Sequence, residues 1–410
     1  MGCFAYIFQG ILNNLAQVHS FDLGSNNAIM TPSVSGSFIP SYWAKFYAST
    51  DTIVIAGQGW NYNSTTGSSN EATYFLAFGA NEAATSPRAV GMADGFVLNN
   101  HAMDVVNNVF RVGTTIRNSR MVRPVTEPVG GVTVGSTVFS EPPESSTENY
   151  IILLDLGTGN NSTMDELGRL KLGKPNEVFT ALRFFDNIAY AVTYERRDPL
   201  YVLDLSNPRD PQEKAALDIS GFSSYLHSMN ADNSLLLAIG QDSTDDGTIL
   251  GVQITVFDVT NPSKPFAAVR RVIEDDLGTY SYTPSLDDFK ATRFAGDRLI
   301  IPMDIYPSWT DQGKQGKEFH GFITYFVNAT HIEQECTIPH QTAKDSGSFE
   351  TDECFYCAFL QPRSMIFDGN LMTMNHHFVR SNDMNTCKEE WSLDLLIKDD
   401  SGGCCNAYYY

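Results

Sequence analysis

Six times along this chain a tight turn of Asp, Asn, Gly, Ser or Thr residues is followed at once by an apolar run. The turns are Ser49-Thr50-Asp51, Asn107-Asn108, Asp186-Asn187, Asp232-Asn233, Gly296-Asp297 and Asp368-Gly369, and the runs resemble Ile188-Ala189-Tyr190-Ala191-Val192 or Leu299-Ile300-Ile301. A second signature lies further on in each copy, where an apolar strand closes on Asp and one more apolar residue. Ile151 to Leu156, Tyr201 to Leu205 and Ile254 to Val259 are near copies, and Gly321 to Val327 is a looser one. Two of these run into Asn207-Pro208 and Asn261-Pro262, where proline fixes φ, removes an amide donor and makes the chain turn. A strand unit of this kind cannot bury its apolar face alone, so copies must stack. With little helix between them, the copies predict an all-β fold, a single β-propeller of about six to seven four-stranded blades with long loops on one face.

The repeat fixes the domain plan: a propeller over 18–398 with a flexible insertion at 124–148, an unassigned segment at 1–17 and a cysteine-bearing tail at 399–410. Residues Val18 to Leu23 resemble the outer half of a repeat, so this N-terminal strand is expected to complete the final blade around Arg363 to His376 and remove an exposed strand edge. The formal charge of -21 repels polyanions, which excludes nucleic acid as a natural partner. No apolar run reaches the roughly 18 to 20 residues that span a bilayer, and a monomer is expected.

Six of the seven cysteines, Cys336, Cys354, Cys357, Cys387, Cys404 and Cys405, crowd the last quarter of the chain. Together with Asn-x-Ser/Thr sequons at Asn63, Asn160, Asn161 and Asn328, they point to disulfides, glycosylation and a secreted or cell-surface location. No signal sequence is evident at the start, which lacks a basic region and a small-x-small cleavage site. Cys354-x-x-Cys357 followed by His376-His377 reads as disulfide cysteines in preference to zinc ligands, because adjacent histidines do not easily reach one tetrahedral ion.

With the strands of a blade named A to D, the Asp/Asn/Gly turns join A to B and the Asn-Pro turns join C to D. The long segments fall between B and C: Gly57 to Thr73, Thr114 to Asn149, Gln241 to Gly251 and Asp304 to His320. In a propeller those loops share a face with the connections between blades, and variable loops on a rigid scaffold are where binding sits. Candidates on that face are Trp60, His101, Glu195, Arg196, Arg197, His227 and Trp309, the tryptophans as contact anchors and the arginines as anion-recognising forks. Asp242, Asp245 and Asp246 precede Gly247 as in a calcium loop, although Thr244 and Gln253 depart from that pattern, so the match to a calcium site is partial and no other cofactor is expected. Gly157-Thr158-Gly159 lacks the third glycine of a dinucleotide loop, and Gly221 to Tyr225 lacks the final glycine of a nucleophile elbow.

Asp198 to Pro208, Gly221 to His227, Ala238 to Asp242 and Phe257 to Pro262 follow in fixed order. In this the chain resembles a family of secreted proteins with a C-terminal β-propeller domain, distantly similar to WD40 repeats. The resemblance is most specific from Arg183 to Pro302 and reaches back to Phe96 and forward to Met365. It implies a propeller outside the cytoplasm and carries over no catalytic residue. The expected function is thus non-catalytic recognition of a protein or glycan partner. The alternatives are a metal-dependent enzyme drawing on Asp242, Asp245, Asp246, His101 or His227, and a disulfide-linked surface or matrix protein.

Overall fold

The computed structural model describes residues 14–20, 33–39, 44–63, 68–80, 86–118, 146–157, 162–194, 198–244, 248–273, 280–306, 308–310, 313–315, 318–340, 361–375 and 378–395. Among the described residues there are six sheets of four or five strands in chain order, mainly antiparallel, and two two-stranded hairpin sheets. The first holds Ala44–Ala48, Thr52–Asn63, Ser68–Gly79 and Ser86–Asp94 as strands A to D. In the second, strand A is split into Phe96–Val97 and Met103–Val106, followed by Val109–Asn118, Ser146–Asp155 and Asp165–Leu172. The third comprises Val178–Phe185, Ile188–Tyr194, Asp198–Asp204 and Gln212–Ile219, and the fourth Phe222–Ser228, Leu235–Ser243, Ile249–Asp258 and Phe266–Ile273. Strand A of the fifth is again split, into Tyr280–Tyr282 and Arg293–Ala295, before Arg298–Tyr306, Phe319–Val327 and Ile332–Pro339. The sixth is Arg363–Phe367, Asn370–Met374, Phe378–Asp383 and Glu389–Asp394.

The chain divides into two compact units, 1–195 with 200–214 and 196–199 with 215–410. In the first, one core joins Val54, Phe75, Phe110, Ile151, Leu153, Leu182 and Ala191. The edge of its first sheet is extended by Ser162–Thr163, which pairs in parallel with Ala89 and Val90. In the second, Leu237, Ile254, Val256, Leu299, Ile301, Ile323 and Tyr325 form one core, and Ile300, Phe322, Ile338 and Leu371 another.

All six sequence-read turns join strand A to strand B. Their composition follows from backbone geometry. Asn107, Asn108, Asp186, Asn233, Gly296, Asp368 and Gly369 all have φ between 45° and 79°, the left-handed region that tight hairpins require and these residue types tolerate. The Asp that closes the C strands of the second, third and fourth sheets has an equally local cause. Its carboxylate accepts the amide two residues on, at 2.9 Å for Gly157, Ser206 and Thr260, and Asn328 accepts the Thr330 amide at 2.8 Å. The buried apolar residue between them sends its own amide to the A-B turn, Leu205 to the Asn187 carbonyl at 2.8 Å and Val259 to the Ser234 carbonyl at 2.9 Å.

Three expectations are corrected. Among the described residues the N-terminal strand does not join the last sheet: Asn14–Ser20 pairs with Ser33–Ile39, and the sixth sheet draws all four strands from its own stretch. Most of the segment Gly57 to Thr73 is paired strand and not loop: its hairpin stays in register from Thr52↔Gly79 to Asn63↔Ser68, and 64–67 lie outside the described residues. Polar and glycine residues read as loop there, yet a paired partner strand satisfies their amides as well as it would those of valines. Within Asp304 to His320, strands B and C run on to Tyr306 and from Phe319, and a small hairpin, Ser308–Thr310 with Gly313–Gln315, lies between them. The insertion 124–148 lies outside the described residues up to 145, and Ser146 re-enters paired with Asn118. The tail 399–410 also lies outside them.

Candidate functional site

The fifth sheet changes character along one face. Its strands place alternate residues on the same side, so Pro302 and Phe322, opposite each other, share a face with Ile300 and are followed towards the B-C end by polar and aromatic rows. Phe322 packs with Ile300, Ile338 and Leu371 of the sixth sheet's core. One row higher, Tyr282 stands opposite Asp304 and Asp304 opposite His320. Above that, Tyr280 stands opposite Tyr306, and Glu318 immediately precedes strand C.

These side chains are held to one another. His320 donates from Nδ1 to Asp304 Oδ1 at 2.8 Å and from Nε2 to Glu318 Oε1 at 3.0 Å. Burial alone would lower the His320 pKa, but hydrogen bonds to both carboxylates and their charges outweigh it, and the pKa is raised above its ordinary value. Two carboxylate partners require both ring nitrogens to carry protons. The Tyr306 ring meets the imidazole edge to face at 5.3 Å, and the Tyr280 ring stacks on Tyr306 at 6.4 Å and 25°. Burial, then the charges of Asp304 and Glu318, push the Tyr306 pKa up to about 12. Tyr282 donates to Asp287 Oδ2, and burial followed by that contact raises its pKa. From the fourth sheet, Gln241 Nε2 donates to the Tyr280 hydroxyl at 3.2 Å. Tyr280 is nevertheless 41% exposed, so a cluster fixed on its inner side presents one ring to solvent.

A smaller constellation occupies the B-C end of the first sheet. Trp60, 56% exposed, stands opposite Glu71. Gln58 Nε2 reaches Glu71 Oε1 at 3.5 Å, Arg117 Nη1 lies 4.0 Å from the same oxygen, and the Arg117 guanidinium covers the Phe96 ring at 4.2 Å. Among the described residues Glu71 Oε2 is buried with no hydrogen-bond partner.

The other sequence candidates scatter. Asp242 lies inside a strand, buried, and is ion-paired to Arg270, whose Nε donates to Gln253 Oε1 at 2.7 Å. A calcium ion would have to displace that guanidinium, and Asp245 and Asp246 lie outside the described residues. His227 was expected on the loop-rich face with Gly221, yet it lies at the A-B turn end of strand A, because Phe222 pairs with Gln241 at one end and Ser228 with Leu236 at the other. Its Nδ1 is 3.1 Å from the Tyr225 hydroxyl, and its ring meets Phe294 edge to face at 5.5 Å. His227 and Asp242 therefore sit at opposite ends of one sheet. His101 follows Asn99, whose side chain caps the short 3-10 turn Asn100–Ala102, and its Nδ1 accepts from Arg183. In the same unit Tyr47 donates to Asp104 at 3.2 Å and Arg111 joins Asp104 to the Asp186 carbonyl. Among the described residues no three His, Cys, Asp or Glu side chains are arranged to hold a metal ion.

Trp309 lies in the small hairpin, opposite Lys314, while Glu195, Arg196 and Arg197 lie outside the described residues. Of the cysteines, Cys336 and Cys387 form a disulfide with a Cα–Cα distance of 5.6 Å, and Cys354, Cys357, Cys404 and Cys405 lie outside the described residues. Of the sequons, Asn328 heads an exposed turn, Asn63 ends a strand, and Asn160 and Asn161 lie outside. The sequence reading missed Tyr280, Tyr282, Asp304, Tyr306, Glu318, His320 and Glu71. A signal existed in the period-two pairs Tyr280-x-Tyr282, Asp304-x-Tyr306 and Glu318-x-His320, polar or aromatic where neighbouring strands stay apolar.

Several known proteins are similar to this chain in part. An uncharacterized protein of Methanocaldococcus jannaschii is 34% identical over 174 residues, which are 42% of this chain and 23% of that protein, so the match spans less than a quarter of the relative's length. A solved protein from Lactobacillus plantarum aligns over 91% of this chain and 94% of its own, with 10% identity and a TM-score of 0.44. A Bacteroides fragilis protein, described provisionally as a 6-phosphogluconolactonase, aligns over 93% and 95% with 9% identity and a TM-score of 0.43. The family model described as the beta propeller domain matches residues 3–387, nearly the whole chain, and the six sheets agree with it: the protein belongs to the beta propeller domain family.

Proposed function

We propose that the six sheets are consecutive blades and that the protein is a non-catalytic recognition module working outside the cytoplasm, engaging its partner through the B-C ends of those sheets. One observation carries this reading. The A-B and C-D ends are closed by turns whose polar groups are spent on their own backbone, as at Asp204, Asp258 and Asn328. At the B-C end of the fifth sheet, fixed aromatic and charged side chains instead support an exposed Tyr280 ring. Rigid aromatic groups beside satisfied polar ones are what a binding surface needs, since little side-chain entropy is lost on contact. The Cys336–Cys387 disulfide supports an oxidising compartment, and the exposed Asn328 turn would accept a glycan there.

Affinity capture from the native extracytoplasmic fraction tests the reading with two sets of variants. Trp60→Ala and Tyr280→Ala should each weaken retention of the partner at least about tenfold, a loss of ~1.4 kcal/mol, while Asn207→Ala and Asn261→Ala should leave it unchanged. The opposite pattern, or turnover of a substrate by the purified protein, would overturn it.

A further inference from the structure

We propose that the B-C end of the fifth sheet is a carbohydrate-binding site, with Tyr280 as the stacking platform and Asp304 as the principal hydroxyl acceptor. This rests on the recognition reading and names the ligand class for one of its sites.

A sugar ring offers two surfaces to a protein, a patch of C–H bonds on its face and a rim of hydroxyls. Recognition needs an aromatic face for the first and a fixed polar group for the second. Both are present and both are set in place before any ligand arrives. Tyr280 is backed by Tyr306 and tethered through its hydroxyl by Gln241, so its ring is held while remaining exposed. Asp304 is two register positions lower, on the same face, and is fixed by His320. A carboxylate has about four lone-pair sites, so the single bond to His320 leaves Asp304 with capacity to accept from hydroxyls. Glu318 completes the arrangement from behind, holding the second imidazole nitrogen.

The same contacts argue against other ligand classes. Both nitrogens of His320 face carboxylates, so the ring has no lone pair to give a metal ion. Asp304 and Glu318 repel phosphate and carboxylate groups. An organic cation would meet the positive imidazolium lying between those two carboxylates, which leaves the triad with one net negative charge in place of two. A neutral polyhydroxylated ligand suffers none of these penalties. Phe322, in the apolar row below, is already packed with Ile300, Ile338 and Leu371, so the ligand would lie across the end of the sheet.

The test screens the full chain on an array of neutral oligosaccharides covering hexose, N-acetylhexosamine and deoxyhexose linkages, followed by calorimetry with the best ligand. Saturable binding with Kd of about 1 mM or tighter is expected. Tyr280→Ala should weaken it at least about tenfold with an unchanged melting curve, Tyr280→Phe should retain most of it, and Asp304→Asn should weaken it. Lys264→Ala, on a C-D turn, should have no effect. No saturable binding across the array, binding indifferent to Tyr280→Ala, or tighter binding of spermidine than of any saccharide would each overturn the proposal. If the saccharides fail while the partner retained in affinity capture still depends on Trp60 and Tyr280, the ligand class falls and the recognition reading stands.

Discussion

Single residues in this chain divide into those whose role is written locally and those whose role depends on a distant neighbour. Gly369 and Gly240 illustrate the difference. Gly369 sits in an A-B turn at φ +79° with open space where a side chain would go, and the Asp-Gly pair announces it. Gly240 lies mid-strand, and a Cβ there would stand 1.6 Å from the Phe222 carbonyl oxygen of the adjacent strand. Nothing in the sequence marks it, because the obstruction comes from a bulge in strand pairing between Ser223 and Tyr225. Gly369→Ala should therefore cost about 1 kcal/mol, and Gly240→Ala more than ~4 kcal/mol, measured by urea unfolding. His320 supports a second residue-scale prediction. Its folded-state pKa is raised above the usual value of about 6.5, so the protonated form is favoured by folding. Its stabilisation is fully present below the unfolded-state value and is lost as pH rises through the raised folded-state value. Melting temperature should fall across that window in the wild type, and His320→Gln should remove the step. An identical fall in the variant would show that the two carboxylates do not hold a charged imidazole.

At the scale of elements, the A-B hairpins and the C-D turns were legible because each depends on short-range chemistry: left-handed φ at Asn108, Asp186 and Gly369, and side-chain capture of an amide at Asp204 and Asp258. The B-C ends were not. The stretch from Gln58 to Thr73 is polar and rich in Gly, Asn, Ser and Thr, yet its described residues pair from Gln58↔Thr73 to Asn63↔Ser68, since the neighbouring strand supplies the bonds that propensity would not forecast. The Tyr280 to His320 cluster was missed for a related reason: it comes from three strands, and only their register sets Tyr282, Asp304 and His320 in one row. The disulfide also acts at this scale. It ties strand D of the fifth sheet to the C-D turn of the sixth across 51 residues of sequence. Cys336→Ser with Cys387→Ser should lower stability by about 2–4 kcal/mol, read from denaturant unfolding with and without reductant, with the wild type responding to reductant and the variant not. Equal stability of the two proteins under oxidising conditions would show that this staple contributes nothing.

For the molecule as a whole, a repeated strand unit sufficed to read the all-β class and the propeller family, because stacking is the only way such units bury their apolar faces. The N-terminal strand was assigned to the wrong partner for the converse reason: one strand's pattern does not specify which edge it joins. The functional assignment rests on the fixed aromatic and charged cluster that supports the exposed Tyr280 ring at the B-C end of the fifth sheet. Site-specific photocrosslinking in the native host tests it directly, because the partner need not be identified beforehand. A photoreactive amino acid placed at Trp60 or Tyr280 should give covalent adducts of higher mass, whereas the same group at Asp186, Asn207 or Asn261 should give none. Adducts from the turn positions and none from Trp60 or Tyr280 would contradict the account.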